Sequence, residues 1–116
     1  MKSSGLKIAV IGGGSPYTPE LVDGLIQQQA RIPMAELALM DAYAERLKST
    51  GEMSRRMLAH AHHPAQVSLT TDPAAALDGA DIVISQIRVG GMSARLLDEV
   101  IPPRYGVIGQ ETVGPG

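Results

Sequence analysis

The sequence predicts an α/β protein, a parallel sheet with helices on both faces that is incomplete at its C-terminal end. Short apolar runs rich in β-branched residues alternate with segments of helical period along the whole chain. Right-handed crossovers between such strands place the intervening helices on both faces of one sheet. The core must be built from Leu, Ile, Val, Ala and Met, since the chain has no Phe, no Trp and only 3 Tyr. Those side chains suit a sheet covered by helices.

Leu6-Lys7-Ile8-Ala9-Val10-Ile11 reads as a buried parallel strand that ends in three glycines. Pro19 to Arg31 carries Leu21, Val22, Leu25 and Ile26 at helical spacing. Thr18 stands as N-cap with Pro19 at the first helical position, and Ser15-Pro16 offers an alternative start. Leu37 to Met40 is a second strand closed by Asp41, followed by a helical pattern from Ala44 to about His62 that Pro64 stops. Val67 to Thr70 is a third, weaker strand. Asp72-Pro73 opens a short helix through Leu77 by the same cap-and-proline logic, and Ile82 to Ser85 is a fourth strand. A helix from about Met92 to Val100 follows, ended by Pro102-Pro103, and the tail from Gly109 reads as loop.

At 116 residues the chain suits one compact domain. With 10 Lys+Arg against 12 Asp+Glu the net charge is -2, and no basic stripe is present, so nucleic acid is not an expected partner. The longest apolar runs fall far short of the roughly 20 residues of a membrane helix. No signal-peptide pattern opens the chain, which argues for a cytoplasmic protein. Cysteine is absent, so no disulfide or thiolate chemistry comes from these residues.

Gly12-Gly13-Gly14, after a buried strand and before a helix, occupies the position where doubly wound folds bind a diphosphate. Glycine lets the backbone approach closely, and a helix N-terminus supplies free amides and partial positive charge. The full G-x-G-x-x-G fingerprint would need glycine at 17, which is Tyr17, so a plain glycine turn is the competing reading. Asp41 at the end of the second strand can accept hydrogen bonds from both hydroxyls of an adenosine ribose and would repel a 2′-phosphate, which favours NAD over NADP. Asp41 as N-cap of the next helix fits the spacing equally well. His60, His62 and His63 invite a metal reading, but the end of a helix is where such side chains meet the negative dipole end in solvent. Met53 and Met57 fit the packed side of that helix. Gln86, Arg88, Arg95, Asp98, Glu99, Arg104, Gln110 and Glu111 make the last third polar. There Arg88 and Arg95 could clamp a phosphorylated or carboxylated substrate, or pair with Asp98 or Glu99.

Ile11 to Leu21, which reads Ile-Gly-Gly-Gly-Ser-Pro-Tyr-Thr-Pro-Glu-Leu, resembles the N-terminal part of glycoside hydrolase family 4, as do several later segments. These are Gln86-Ile87-Arg88-Val89-Gly90-Gly91, Arg95, Asp98-Glu99, Ile101-Pro102 and the stretch from Tyr105 to Thr112. The Tyr17-Thr18-Pro19-Glu20-Leu21 continuation points to its 6-phospho-β-glucosidase branch. The likeness implies a Rossmann-like fold, a bound NAD and a divalent metal such as Mn²⁺, and hydrolysis outside the two-carboxylate scheme. In that family NAD⁺ takes a hydride from C3 of the sugar, a tyrosine base removes the acidified C2 proton, the aglycone is eliminated, water adds, and the hydride returns. Carried over, Gly12, Gly13, Gly14 and Ser15 would contact the cofactor phosphates and Asp41 the ribose. Arg95 would bind substrate, Arg88 would lie near cofactor or substrate, and Glu111 would raise the basicity of the tyrosine.

The resemblance further implies that residues 1–116 are the NAD-binding front of a longer, homo-oligomeric enzyme acting on phosphorylated sugars. Its metal ligands and tyrosine base would lie elsewhere, further strands would pair with an open sheet edge, and the piece alone would be inactive. An NAD-dependent 2-hydroxy acid dehydrogenase of the lactate or malate type shares the element order, and a non-catalytic nucleotide-binding module is the reading from another class.

Overall fold

Strands β1 (Leu6–Ile11), β2 (Met34–Met40), β3 (Gln66–Thr70) and β4 (Ile82–Ser85) form one parallel sheet in the order β3-β2-β1-β4. Between them run α1 (Thr18–Gln27), α2 (Ala44–His60) and α3 (Pro73–Leu77). After β4 come α4 (Gly91–Val100) and a 3-10 turn at Pro102–Tyr105. The computed structural model describes residues 5–87 and 91–109. The chain steps outward from β1 to β2 to β3, then returns through α3 to place β4 on the far side of β1. That reversal is a topological switch point, and the crevice outside the carboxyl ends of β1 and β4 is where open α/β sheets bind ligands.

Alternation along the strands divides the core. Ile8 and Val10 of β1 and Leu37 and Leu39 of β2 point to one face, where they pack with Val22 and Leu25 of α1 and Leu47 and Leu58 of α2. Ala9 and Ala38 point to the other, against Ala76 of α3. Burying a Leu or Ile side chain stabilises by about 1.5–3 kcal/mol, against about 0.8 for a single methyl-sized group, so the α1/α2 face carries most of the core stability. The alanines on the other face allow a short helix to lie close. The register is set by Ile8 opposite Leu37 and Val10 opposite Leu39, with Ile8 also opposite Ile82 of β4.

Lys7 is the one charge in the otherwise apolar β1. Its ammonium lies at the C-terminal end of α3, donating to the carbonyl oxygens of Ala75 and Asp78, where a cation meets the negative end of the helix. Its backbone amide donates to Asp81 Oδ2 at 2.8 Å. The strand therefore tolerates lysine because the charge is delivered to the end of α3.

β2 begins three residues before the apolar run from Leu37, because Met34 is buried at 1% exposure and its amide donates to Gln29 Oε1 at 3.1 Å. The same contact explains why α1 stops at Gln27 and not at Arg31: the chain must turn back through Pro33 to enter the sheet. Glu36 sits in β2 without disrupting it, accepting from Ser68 Oγ at 2.9 Å. α3 has the expected start, with Asp72 accepting from the Ala74 amide at 3.0 Å and Pro73 first in the helix.

α2 ends at His60, two residues short of the expected end, in a Schellman motif. The His63 amide donates to Leu58 O at 2.8 Å and the His62 amide to Ala59 O at 3.1 Å, with His62 at φ 55°. His63 Nδ1 then accepts from the Ala65 amide at 3.1 Å, which requires an unprotonated nitrogen. Desolvation by burial pushes its pKa below the usual histidine value, in the same direction. The histidines thus close a helix and turn the chain. A left-handed conformation costs an L-residue about 1–2 kcal/mol, partly offset by the extra unfolded-state freedom of glycine. His62→Gly is therefore expected to stabilise the protein by about 0.5–1 kcal/mol, seen as a higher urea midpoint at unchanged slope; a lower midpoint would refute this assignment.

β4 pairs with β1 and forms one edge of the sheet. Ile82 and Val83 are 38% and 51% exposed, and no residue of α4 is buried.

Candidate functional site

The loop after β1 is fixed by contacts from both neighbouring strands. From the β2 side, the amides of Gly12 and Gly13 both donate to Met40 O, at 2.8 and 2.7 Å. Gly12 adopts φ +94°, and a Cβ there would lie 2.6 Å from Gln86 O. A Cβ on Gly13 would lie 2.8 Å from Leu39 Cβ, and one on Gly14 would lie 2.7 Å from Asp41 Oδ2. Each of these glycines is therefore demanded by the protein's own packing, so the plain turn and the ligand-binding loop are not exclusive readings.

Asp41 is buried at 7% exposure and joins the two strand ends. Its Oδ2 accepts from the Gly14 amide at 2.9 Å and its Oδ1 from the Tyr43 amide at 3.0 Å. The second bond turns the chain toward α2, but the N-cap position is held by Tyr43, so Asp41 does not cap that helix as the spacing allowed. A carboxylate offers about four lone-pair sites, so these bonds leave capacity for a further donor on each oxygen. Arg46, next on the same helix, lies over the Tyr43 ring at 5.4 Å from its centroid.

From the β4 side the loop is held by a side chain. Gln86 follows β4 directly, and its amide nitrogen Nε2 donates to Gly12 O at 3.2 Å and to Thr18 Oγ1 at 2.8 Å. Thr18 Oγ1 in turn donates to Gly13 O at 2.8 Å. Thr18 is the first residue of α1 and wholly buried, and the position before it, Tyr17, makes no side-chain cap. Thr18 therefore does not cap α1 as expected, and Ser15 Oγ accepts from the Tyr17 amide at 3.2 Å in the turn that leads into the helix.

The expectation of free amides at this loop is not met between Gly12 and Ser15. Gly12, Gly13 and Gly14 donate as described, and Ser15 donates to Gly12 O at 3.1 Å. Two of the next four residues, Pro16 and Pro19, have no N–H to offer. What the geometry supplies is a tightly packed glycine loop beside the N-terminus of α1, with a buried carboxylate at the neighbouring strand end.

The structure brings Gly12, Gly13, Gly14, Ser15 and Asp41 together. Arg95 on α4 is paired with Glu99 at 3.5 Å, an i,i+4 contact worth about 0.3–0.5 kcal/mol at such exposure. Arg88 and Glu111 lie outside the described residues. Sequence reasoning missed the roles of Gln86 and Thr18 in holding the loop; the signal was a glutamine placed directly after the strand that pairs with β1. A cleft bordered by Arg55, Leu58, His63 and Val67 lies at the opposite end of the sheet, beside the start of β3, and takes no part in this site. Among the described residues no group of three or more His, Cys, Asp or Glu could hold a metal ion, and no helix is long and apolar enough to cross a membrane.

A parallel sheet with a switch point, a glycine loop after β1 and a carboxylate at the end of β2 define a Rossmann-like domain of the dinucleotide-binding type. Residues 7–116 match the family described as family 4 glycosyl hydrolase, and the chain belongs to that family. Over 116 residues it is 50% identical to a probable 6-phospho-β-glucosidase of Bacillus subtilis (strain 168), covering 98% of this chain and 26% of that protein. A 6-phospho-α-glucosidase from gut microorganisms, solved in complex with NAD and Mn²⁺, is similar with a TM-score of 0.83 and 37% identity, over 97% of this chain and 26% of that one. The 6-phospho-β-glucosidase of Thermotoga maritima, solved with NAD and glucose-6-phosphate, gives a TM-score of 0.82 and 39% identity, over 95% of this chain and 26% of that one. The chain thus spans about a quarter of the length of these relatives. Family membership displaces the lactate- or malate-type dehydrogenase as an alternative.

Proposed function

We propose that this chain is the dinucleotide-binding segment of an NAD- and divalent-metal-dependent 6-phospho-β-glucosidase. The observation that carries the reading is Asp41: a buried carboxylate at the end of β2, tied to Gly14 and keeping unused acceptor capacity on both oxygens. That donor-accepting group fits the two hydroxyls of an adenosine ribose, and its charge disfavours a 2′-phosphate. Bound NAD⁺ would supply a hydride acceptor for the sugar.

Gly12, Gly13, Gly14 and Ser15 would let the diphosphate approach the backbone at the N-terminus of α1, where the helix field favours an anion. Arg95 and Arg88 would bind the phosphorylated sugar, and Glu111 would act on a tyrosine base beyond this chain. The described residues do not fit a divalent metal, so no step is assigned to one here, and its ligands would come from the remaining part of the protein. The exposed apolar side chains of β4 and α4, among them Val83, Met92 and Leu96, support a surface on which that part packs. The support for a 6-phosphorylated β-glucoside as substrate is the 50% identity to the Bacillus subtilis relative, and the whole enzyme is read as a cytoplasmic homo-oligomer.

The test is hydrolysis of an aryl 6-phospho-β-glucoside by the whole protein that carries this chain, with NAD⁺ and Mn²⁺ supplied or withheld. Cleavage that needs NAD⁺ supports the proposal. Cleavage indifferent to its removal rejects the mechanism, and NAD⁺ binding without cleavage of any phosphoglycoside points to a non-catalytic module.

A further inference from the structure

We propose that Gln86 and Thr18 are positioning residues for the dinucleotide, a tether that orients the peptide groups of the glycine loop from the β4 side. The inference rests on the cofactor reading above and adds the elements that make the loop competent. Gly12-Gly13-Gly14 has no side chains, and a glycine run can turn its peptide groups over at little steric cost. In this structure each peptide group of the run is fixed at both ends. The Gly12 carbonyl accepts from Gln86 Nε2 and from the Ser15 amide, while the following amide, Gly13 N–H, donates to Met40 O. The Gly13 carbonyl is held by Thr18 Oγ1 while Gly14 N–H donates to Asp41 Oδ2. Carbonyls therefore face α1 and β4, and amides face the end of β2.

Turning the first group over would set a carbonyl oxygen against Met40 O, and turning the second would set one against the Asp41 carboxylate, so either change repels the present partner and reshapes the loop that the dinucleotide would meet. Gln86 suits the task because its amide has two hydrogens, and both are used: one on Gly12 O, the other on Thr18 Oγ1. The Thr18 hydroxyl accepts from one side and donates to the other, so Gln86, Thr18 and Gly13 form a directed chain. Gln86 is itself placed by the backbone, since its N–H donates to Ile11 O at 2.9 Å as the last rung between β4 and β1. That backbone rung survives substitution of the side chain, which separates sheet pairing from loop orientation.

The experiment measures NAD⁺ affinity by titration calorimetry, together with thermal midpoints in the absence of NAD⁺, on the whole protein. The variants are Gln86→Leu, Thr18→Val and Thr18→Ser. Gln86→Leu and Thr18→Val should each raise the NAD⁺ Kd by about tenfold or more, the scale of one or two lost hydrogen bonds. Thr18→Ser, which keeps the hydroxyl, should restore affinity to within about twofold of the wild type. In turnover the KM for NAD⁺ should rise with Kd while kcat at saturating NAD⁺ stays close to wild type. A purely structural role would lower the thermal midpoint and leave the Kd of the folded protein unchanged, and that result overturns the tether. If Gln86→Leu does not fold, the Thr18→Val and Thr18→Ser pair decides the same question. No binding of NAD⁺ by the wild type overturns the cofactor reading and the tether together, whereas normal binding by wild type and both disruptive variants overturns the tether alone.

Discussion

Asp41→Ala is expected to weaken NAD⁺ binding by about a hundredfold, the largest loss for any substitution at this site. Hydrogen bonds to a charged acceptor are worth about 1.5–3 kcal/mol each, and a ribose would lose such an acceptor for both of its hydroxyls. A second effect adds to the first: the Gly14 amide loses its partner in a buried setting and the Tyr43 amide in a half-buried one. Leaving buried donors unsatisfied costs about 1–3 kcal/mol, so the free protein is destabilised as well. The two effects separate experimentally. Asp41→Asn keeps an acceptor oxygen but brings a donor NH2 against one of the two amides, so it should retain part of the affinity while lowering the denaturation midpoint. Equal NAD⁺ affinity for wild type and Asp41→Ala, measured by calorimetry at a temperature where both are folded, would remove Asp41 from the cofactor site.

Gly12→Ala is the substitution with the largest expected effect on folding, a loss of about 2–5 kcal/mol. Gly12 sits at φ +94°, and an added Cβ would stand 2.6 Å from Gln86 O and 2.8 Å from Gln86 C. Both atoms are backbone of the strand end that pairs with β1, so no side-chain rotation relieves the contact. The left-handed φ contributes about 1–2 kcal/mol and the overpacking about 1–3 kcal/mol. Gly24 is the internal comparison, because nothing lies within 4 Å of a Cβ built there and it occupies the interior of α1. Gly24→Ala should raise stability by up to about 1 kcal/mol through helix propensity. Urea denaturation of the two variants should move the midpoint in opposite directions; a Gly12→Ala midpoint at or above wild type would show that the loop is not held as described.

How far these features could be read in advance depended on how local their causes are. β1 and β4 have the limits expected from the apolar runs, and α3 begins where Asp72 and Pro73 place it, since strand period and capping act over a few residues. β2 runs further back than its apolar stretch, because Met34 and Glu36 are held there by Gln29 and Ser68. α1 and α2 both end earlier than their periodicity suggests, one because the chain must return through Pro33 and the other because His62 takes a left-handed conformation that no pattern at that position announces. The glycine loop and Asp41 were visible as residue types in the right order. The amides of the loop, expected to be free, are consumed by Met40 and Asp41, which depends on how close β2 lies to β1.

The sequence alone determined the order of elements and the helices on both faces of the sheet, because hydrophobic period and caps are written along the chain, and the likeness of its motifs pointed to the family. The tertiary structure decided what Gln86, Thr18 and Asp41 do. Each acts across strands, Gln86 reaching Gly12 over 74 positions and Asp41 reaching Gly14 over 27. A hydrogen bond is settled by a separation of about 3 Å and by direction, and neither exists until the crossover connections have brought the strand ends side by side.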